Sequence, residues 1–156
     1  MEIKNLKEHP EYIPTLAKWH HDQWIDLNPG GSIEQRISRY ASQLDSDDLP
    51  KMFLAVSGNI LLGSASLVPH DMETRMDLTP WLASLYVAAE HRGQGIGSAL
   101  VRHVVQQADS RGFKTLHLFT LDQQSLYASL GWSTLERTEF HGADVEIMKI
   151  DTASCR

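Results

Sequence analysis

Three glycines alternate with other residues directly after an apolar segment, at Gly93, Gly95 and Gly97. An amphipathic segment follows, so these glycines lie in a turn between a predicted strand and the first turn of a predicted helix. Backbone N–H groups at the start of a helix are unpaired and the helix dipole is positive there, so such a turn can bind an anion. Glycines also let a ligand approach the backbone without meeting a Cβ. A tight connection without a ligand accounts for one or two glycines, so three of them favour a phosphate site.

Two well-known phosphate-binding motifs do not fit this turn. A P-loop requires a glycine followed by Lys and then by Ser or Thr, and no glycine of the chain meets that requirement. The dinucleotide motif G-x-G-x-x-G requires a third glycine at one of two positions, which Ser98 and Leu100 occupy. The turn is therefore a phosphate site of a different kind.

The histidines and the cysteine do not favour a metal site. The chain has eight histidines but no H-E-x-x-H pattern, and the adjacent His20 and His21 would point about 100° apart on a helix. The only cysteine is Cys155, so neither a disulfide nor a cysteine metal site can form within the chain. We therefore expect no metal centre.

The elements around the glycine turn follow from hydrophobic periodicity and turn residues. Their predicted order is strand, two helices, three strands, helix, strand, helix and two strands. Ser32 and Gln35 form a capping-box pattern for the second helix, a hairpin turn is expected at residues 57–59, and Gly112 is expected to cap the third helix. Residues 70–79 are expected to form a polar loop. No linker or repeat divides the chain, which predicts one mixed α/β domain over residues 1–156.

Composition limits the partners. The formal charge is −6, with 14 basic against 20 acidic residues, which argues against a nucleic-acid partner and is compatible with a cationic substrate. No run approaches the roughly 18 apolar residues of a membrane span, and the first twelve residues are too polar for a signal peptide. We therefore expect a soluble, cytoplasmic protein without a membrane partner.

Three segments resemble motifs of the GNAT superfamily of N-acetyltransferases. The sequence RGQGIG at residues 92–97 is similar to the family's Q/R-x-x-G-x-G/A motif and lies, as in the family, between the fourth strand and the third helix. The sequence LYV precedes the turn, and LYASLGW, about 30 residues later, is similar to the family's L-Y-x-x-x-G-[FW] segment. The resemblance implies a single α/β domain with a central, mixed, mostly antiparallel twisted sheet of about seven strands, flanked by about four helices.

The resemblance also implies acetyl-CoA as the cosubstrate. In the family, the glycine turn binds the pyrophosphate, and the fourth strand splays from its neighbour and pairs with the pantetheine arm. A backbone N–H of that strand contacts the thioester carbonyl, which is an oxyanion-type contact. The cofactor-binding residues implied by the resemblance are Leu85, Tyr86, Val87, Arg92, Gly93, Gln94, Gly95, Ile96, Gly97 and Ser98.

Tyr127 stands where the family has its general acid, and the resemblance implies that it protonates the departing thiolate. A free tyrosine has a pKa of about 10 and a thiol about 8.5, so full proton transfer is uphill by roughly 2 kcal/mol. Tyr127 would therefore donate a strong hydrogen bond and release its proton late. Packing of a short helix is the alternative role. Where the family often has an asparagine, seven residues earlier, this chain has Thr120.

The general base stays open among four residues. Glu90 beside the turn and Asp122 after the fifth predicted strand are the principal candidates, and His117 and His70 are two others. Each has an ordinary alternative role. Glu90 can be a solvated loop charge, Asp122 a helix N-cap, His117 a partly buried strand residue and His70 a surface loop residue.

Aromatic residues in the first two helices have two interpretations. Trp19, Trp24 and Tyr40 lie in the part of the chain that covers the acceptor site in the GNAT fold. We expect core residues here, and the alternative is that they line an amine pocket through cation–π contacts.

The sequence as a whole predicts an acetyl-CoA-dependent N-acetyltransferase that acetylates a primary amine by direct attack through a tetrahedral intermediate. The acceptor is a small molecule or a peptide: peptide N-termini, lysine side chains, polyamines, amino acids and aminoglycosides all stay open. One alternative is an acyl-CoA-binding sensor or regulatory module without transferase activity. Another is a protein that uses the turn to bind a different nucleotide. Family members often dimerise, so a homodimer is an expectation from the family alone.

Overall fold

A seven-stranded sheet runs through the molecule in the order β1-β2-β3-β4-β5-β7-β6. The computed structural model describes residues 1–155. The strands are β1 (Glu2–Asn5), β2 (Lys51–Ser57), β3 (Ile60–Val68), β4 (Trp81–Val87), β5 (Thr115–Thr120), β6 (Ser133–Phe140) and β7 (Ala143–Asp151). The α-helices are α1 (Ile13–Trp24), α2 (Ile33–Ser42), α3 (Ile96–Ser110) and α4 (Gln124–Ser129). Neighbouring strands pair antiparallel except β4 and β5, so the predicted fold class is confirmed.

Both faces of the sheet are covered, and β2 shows how the sequence encodes this. Successive strand residues point to opposite faces, and β2 is buried along nearly its whole length. Phe53 and Ala55 join the hydrophobic cluster that includes the buried face of α3. Met52, Leu54 and Val56 join the cluster on the other face, under α1 and α2. A strand buried on both faces reads as a continuous apolar run instead of an alternating one.

The local signals of the sequence are found in the structure. Ser32 Oγ accepts from the Gln35 N–H, and Gln35 Oε1 accepts from the Ser32 N–H, both at 3.1 Å, which is the predicted capping box. The hairpin turn joins β2 to β3 through Gly58 with a φ of 60°. Gly112 follows α3 with a φ of 88°, as expected of a glycine that ends a helix.

The strands β4 and β5 diverge soon after they meet. Their ladder consists of one parallel pair, Trp81 with His117, within the described residues. On its other side, β4 stays paired with β3, where the register shifts between Ser64 and Ser66. Ser84 at this irregularity has a φ of 54°, which is uncommon for a residue other than glycine. The divergence leaves an opening in the middle of the sheet.

Gly63 on β3 keeps β4 in place beside this opening. A Cβ at this position would overlap the backbone carbonyl oxygen of Tyr86, which cannot swing away as a side chain can. We expect Gly63→Ala to lower the free energy of unfolding by about 1–3 kcal/mol, because the two strands must separate. Urea denaturation measures this change. Gly30→Ala is the control, since a Cβ there meets no atom within 4 Å. Equal stability of the two variants would contradict the prediction.

Candidate active site

A cavity of about 860 Å³ occupies the opening between β4 and β5. Leu82, Ala83, Ser84 and Leu85 line it from β4, and Leu118, Phe119 and Thr120 line it from β5. Tyr127 of α4 also lines the cavity, and α1 and α2 contribute the wall that includes Trp24, Arg36, Arg39 and Tyr40. Residues that are distant in the sequence therefore face one common space.

Tyr127 is a buried residue of α4 with its side chain in the cavity wall. Its ring packs against Trp132 at a centroid distance of 6.0 Å, and its hydroxyl has no hydrogen-bond partner within residues 1–155. The backbone N–H of Gln123, directly before α4, donates to Thr120 Oγ1 at 3.0 Å, which joins the start of the helix to the end of β5. Burial raises the pKa of Tyr127 to about 12, so the hydroxyl is protonated at neutral pH.

The glycine turn leads from β4 to α3 through a short 3₁₀ turn at Ala89–His91. Gly93 and Gly95 have φ values of 79° and 81°, and a Cβ at either position would meet open space. Gly95 is the N-cap of α3, so the first N–H groups of the helix face the same region. Gly97 differs from these two glycines: its φ is not positive and a Cβ would lie at an ordinary 3.6 Å from Val87 Cγ2, so its backbone conformation does not require glycine.

Arg92 links the turn to the end of β4. Its Nε donates to the backbone carbonyl of Val87 at 2.9 Å, and its guanidinium carbon lies 5.5 Å from the ring centroid of Tyr86. The Tyr86 ring in turn packs at 5.2 Å from Trp19. Arg92 therefore positions the residues that precede the turn, in addition to adding positive charge near it.

The four candidate bases fall into two groups. Asp122 and His70 line the cavity together with Tyr127. Glu90 is exposed on the 3₁₀ turn outside the cavity lining, and His117 donates its Nδ1 hydrogen to the Pro80 carbonyl at 3.0 Å, also outside that lining. Asp122 is not the N-cap of α4, since that position is Gln123.

Asp71 is a cavity residue that the sequence reasoning missed. It is partly buried in the loop after β3, and burial raises its pKa to about 6. Arg39 acts in the opposite direction on this pKa, and Glu73 adds to the increase. The sequence offers no signal for this residue, because Asp71 is one of four charged residues in the same polar loop.

The raised pKa of Asp71 predicts how stability depends on pH. The folded protein holds the proton up to about pH 6, whereas an unfolded aspartate loses it near pH 3.8, so stability falls between these values as pH rises. Between pH 3.8 and pH 6, we expect the free energy of unfolding of the wild type to fall by roughly 3 kcal/mol relative to that of Asp71→Asn. Urea denaturation of both proteins at pH 4 and pH 7 measures it. Asp45→Asn, at an exposed position, is the control; a pH-independent difference for Asp71→Asn would contradict the prediction.

A buried hydrogen-bonded chain connects α2 with β4. Arg36 Nη1 donates to the Tyr40 hydroxyl at 3.1 Å, and that hydroxyl lies 2.7 Å from His20 Nδ1. His20 Nε2 lies 2.8 Å from Ser64 Oγ, which donates to the Ser84 carbonyl at 3.2 Å. Burial lowers the pKa of His20 to about 3, so the ring is neutral. One assignment satisfies every bond: Tyr40 donates to Nδ1, and Nε2–H donates to Ser64.

The aromatic residues of α1 and α2 are both packing and lining groups. Tyr40 is buried, as expected of a core residue, whereas Trp19 and Trp24 are partly buried. Tyr40 and Trp24 also line the cavity.

Across residues 1–155, no group of three or more His, Cys, Asp or Glu side chains could hold a metal ion, and no helix has the length and apolar character to cross a membrane.

The model of the Acetyltransferase (GNAT) family matches residues 13–132, which include the glycine turn and Tyr127. The chain belongs to the GNAT acetyltransferase family. This confirms the resemblance in the sequence motifs. Acetyl-CoA is the cosubstrate of the family.

Curated relatives of this GNAT protein are named as N-acetyltransferases. Human N-acetyltransferase 8B is 33% identical over 130 residues, which cover 81% of this chain and 56% of that protein. The mouse N-alpha-acetyltransferase 80 is 32% identical over 128 residues, which cover 79% of this chain and 38% of that protein. The chain thus spans about half the length, or less, of these curated relatives.

Solved structures share the fold over nearly the whole chain. A ribosomal-protein-alanine N-acetyltransferase from Brucella melitensis has a TM-score of 0.76 at 18% identity, covering 97% of this chain and 99% of that chain. An aminoglycoside 6'-N-acetyltransferase complexed with coenzyme A has a TM-score of 0.75 at 17% identity, covering 97% of both chains.

Proposed function

We propose that this protein is an N-acetyltransferase that moves the acetyl group of acetyl-CoA to a primary amine of a small molecule or peptide. The observation that carries the proposal is the opening between β4 and β5, with Leu85 and the buried Tyr127 in its walls. The glycine turn follows directly from the β4 wall. Membership in the family and the names of the relatives support the same activity.

The residues of the turn and of β4 fit acetyl-CoA. Open space above Gly93 and Gly95 leaves room for a pyrophosphate, and the unpaired N–H groups of Ile96, Gly97 and Ser98 are suited to donate to it. Beyond Trp81, the described part of β4 has no ladder partner on the β5 side, so its backbone groups there are available to the amides of the pantetheine arm.

The proposed reaction is a direct transfer. The acceptor nitrogen attacks the thioester carbon, a C–N bond forms, and the carbonyl electron pair moves to oxygen. A backbone N–H at Leu85, Tyr86 or Val87 donates to this oxyanion. The C–S bond then breaks, its electron pair goes to sulfur, and Tyr127 donates its hydrogen to the leaving thiolate. The nitrogen loses two protons: one is released, and the other restores the hydrogen that Tyr127 gives to sulfur, so an ammonium ion and a thioester give an amide, a thiol and one proton.

A cavity carboxylate receives the proton of the acceptor amine in this proposal. Asp122 and Asp71 both line the cavity. The pKa of Asp71 is raised to about 6, so this residue accepts a proton more readily than an ordinary aspartate does and is still ionised at neutral pH. Glu90 and His117 lie outside the cavity lining and are less suited to the task.

The test is release of free thiol from acetyl-CoA over a panel of amines, amino acids, polyamines and short peptides, with acetyl-CoA binding measured in parallel. Turnover on one class of acceptor supports the proposal. Binding of acetyl-CoA without turnover on any acceptor would favour a sensor or regulatory module instead. Adenine nucleotides lack the pantetheine arm. If they displace CoA and bind with the same affinity as CoA, the result would favour a nucleotide-binding protein.

A further inference from the structure

One face of α2 presents two guanidinium groups to the cavity. Arg36, Arg39, Tyr40 and Gln43 all line it, and their spacing of three, four and seven residues places them on one side of the helix and its C-terminal cap. Tyr127 and Leu85 line the same cavity. Any acceptor that reaches the thioester through this part of the cavity meets the two arginines.

The two arginines lack a carboxylate partner among the described residues. Neither forms a side-chain ion pair within 4.0 Å in the part of the chain that the structure describes. Arg36 Nε is in addition buried and has no hydrogen-bond partner among the described residues. A buried donor left without a partner costs roughly 1–3 kcal/mol, so a bound anion that satisfied the guanidinium would stabilise the site.

Arg36 is oriented in advance for such an anion. Its Nη1 donates to the Tyr40 hydroxyl, which is held by His20 through the buried chain that ends at Ser84. A guanidinium has five donors in a planar fork, and this hydrogen bond uses one of them. Because the fork is already fixed, little side-chain entropy is lost when it binds a planar, two-oxygen group such as a carboxylate.

Charges of opposite sign lie beside the arginines. Asp71 lines the same cavity and is close enough to Arg39 for the guanidinium to lower its pKa, yet the two do not form an ion pair. Three further carboxylates line the cavity, of which Glu73 is paired with His141 and the others are Asp26 and Asp122. This acidic surplus disfavours a doubly charged phosphate. It suits a ligand whose single negative charge lies next to a positive one.

We infer that the acceptor is an amine that also carries a free carboxylate, as an α-amino acid does, with Arg36 and Arg39 binding the carboxylate. The inference rests on the proposed acetyl transfer and specifies its acceptor. The ammonium group of such a ligand faces the cavity carboxylates, Asp71 among them, and its carboxylate completes the donors of Arg36. Amines without an anionic group leave both guanidinium groups without a carboxylate partner, although Arg36 donates to the Tyr40 hydroxyl and Arg39 lies over the Tyr40 ring.

The first test compares each of a set of α-amino acids with its own carboxamide. For the wild type, we expect kcat/KM for the preferred amino acid to exceed that for its carboxamide by about tenfold to a hundredfold. Arg39→Gln, at an exposed position, should reduce this ratio, and Arg36→Gln with Arg39→Gln should bring it close to one. Lys18→Gln is the matched control, since it removes one positive charge from an exposed position of α1 outside the cavity lining.

A second test does not depend on turnover. The N-acetylated amino acids keep the carboxylate and lack the amine, so they probe the arginine site alone. We expect them to raise the melting temperature of the wild type and of Lys18→Gln, while their carboxamides do not. The rise should disappear in the double arginine variant.

The outcomes separate this inference from the proposed function. If the wild type and the double arginine variant both turn over, with the same ratio of kcat/KM between amino acid and carboxamide, the inference is overturned and acetyl transfer stands. A carboxylate-dependent rise in melting temperature without turnover on any amine would support the arginine site and overturn the transferase proposal. The absence of both turnover and a rise in melting temperature would overturn both.

Discussion

Tyr127→Phe should reduce kcat for acetyl transfer by on the order of 10²-fold or more, with little change in the affinity for acetyl-CoA. The substitution removes only the hydroxyl, which has no partner within the described residues, so the free energy of unfolding should stay nearly unchanged. The reason for the loss is that the leaving thiolate would then receive neither a hydrogen bond nor a proton from the protein. Steady-state kinetics on the acceptor found in the panel, with acetyl-CoA binding measured separately, tests the prediction.

The pKa of Tyr127 decides how this acid works. At about 12 it lies some 3.5 units above that of a free thiol, so full transfer to a solvated thiolate is uphill by roughly 5 kcal/mol, more than the sequence suggested. The same burial also disfavours a thiolate inside the cavity, which brings the two groups closer in proton affinity. We therefore expect Tyr127 to donate a hydrogen bond during C–S cleavage and to release its proton late. Its own deprotonation should produce no alkaline limb in the pH–rate profile below about pH 11.

A matched tyrosine controls for loss of a hydroxyl in general. Tyr12 donates to the Asn59 carbonyl at 3.3 Å and does not line the cavity, so Tyr12→Phe should leave kcat unchanged. Retention of more than half of kcat in Tyr127→Phe would remove Tyr127 from the reaction and leave it a packing role.

Gly95→Glu should weaken acetyl-CoA binding by on the order of 10²-fold or more. Gly95 has a φ of 81°, a conformation that costs other residues about 1–2 kcal/mol, so the turn would change shape. The new carboxylate would also occupy the open space at the N-terminus of α3 and repel the pyrophosphate. Together these effects amount to about 3 kcal/mol, which corresponds to that loss of affinity. Isothermal titration calorimetry with CoA measures it without requiring an acceptor.

Two other glycines separate the causes of this loss. Gly58→Glu introduces the same side chain at a φ of 60° in the hairpin turn, away from the site, so it should cost comparable stability and leave CoA affinity unchanged. Gly97→Ala adds a Cβ at an ordinary distance from Val87 and should also retain affinity. A similar loss of affinity in Gly58→Glu would show that global strain, and not the anion site, explains the effect in Gly95→Glu.

The elements that the sequence predicted well depend on neighbours in the chain. A capping box needs only Ser32 and Gln35, three positions apart, and the conformation of Gly112 follows from the helix that it ends. The glycine turn and Tyr127 were identified in the same way, from short motifs whose family is now confirmed. Such signals survive in a sequence because the interacting groups are a few residues apart.

The requirement for each glycine could not be deduced from spacing alone. Gly93, Gly95 and Gly97 alternate regularly, but the chain enters α3 after Gly95, so Gly97 takes an ordinary helical conformation. Gly63, which no sequence motif marks, is the glycine at which a Cβ would overlap backbone, because β4 pairs with β3 there and brings the Tyr86 carbonyl oxygen close.

The amino-acid sequence by itself determined the fold class and the family and identified the glycine turn and the candidate acid, because periodicity and short motifs are local. Tertiary structure alone decided which charged groups meet in the cavity. His20, which the sequence placed on a helix without a partner, is buried against Tyr40 and Ser64, the latter 44 positions away. Asp71 and Arg39 approach each other from different elements. Their protonation and pairing depend on burial and on distant charges, which packing of α1 and α2 over the diverging strands creates.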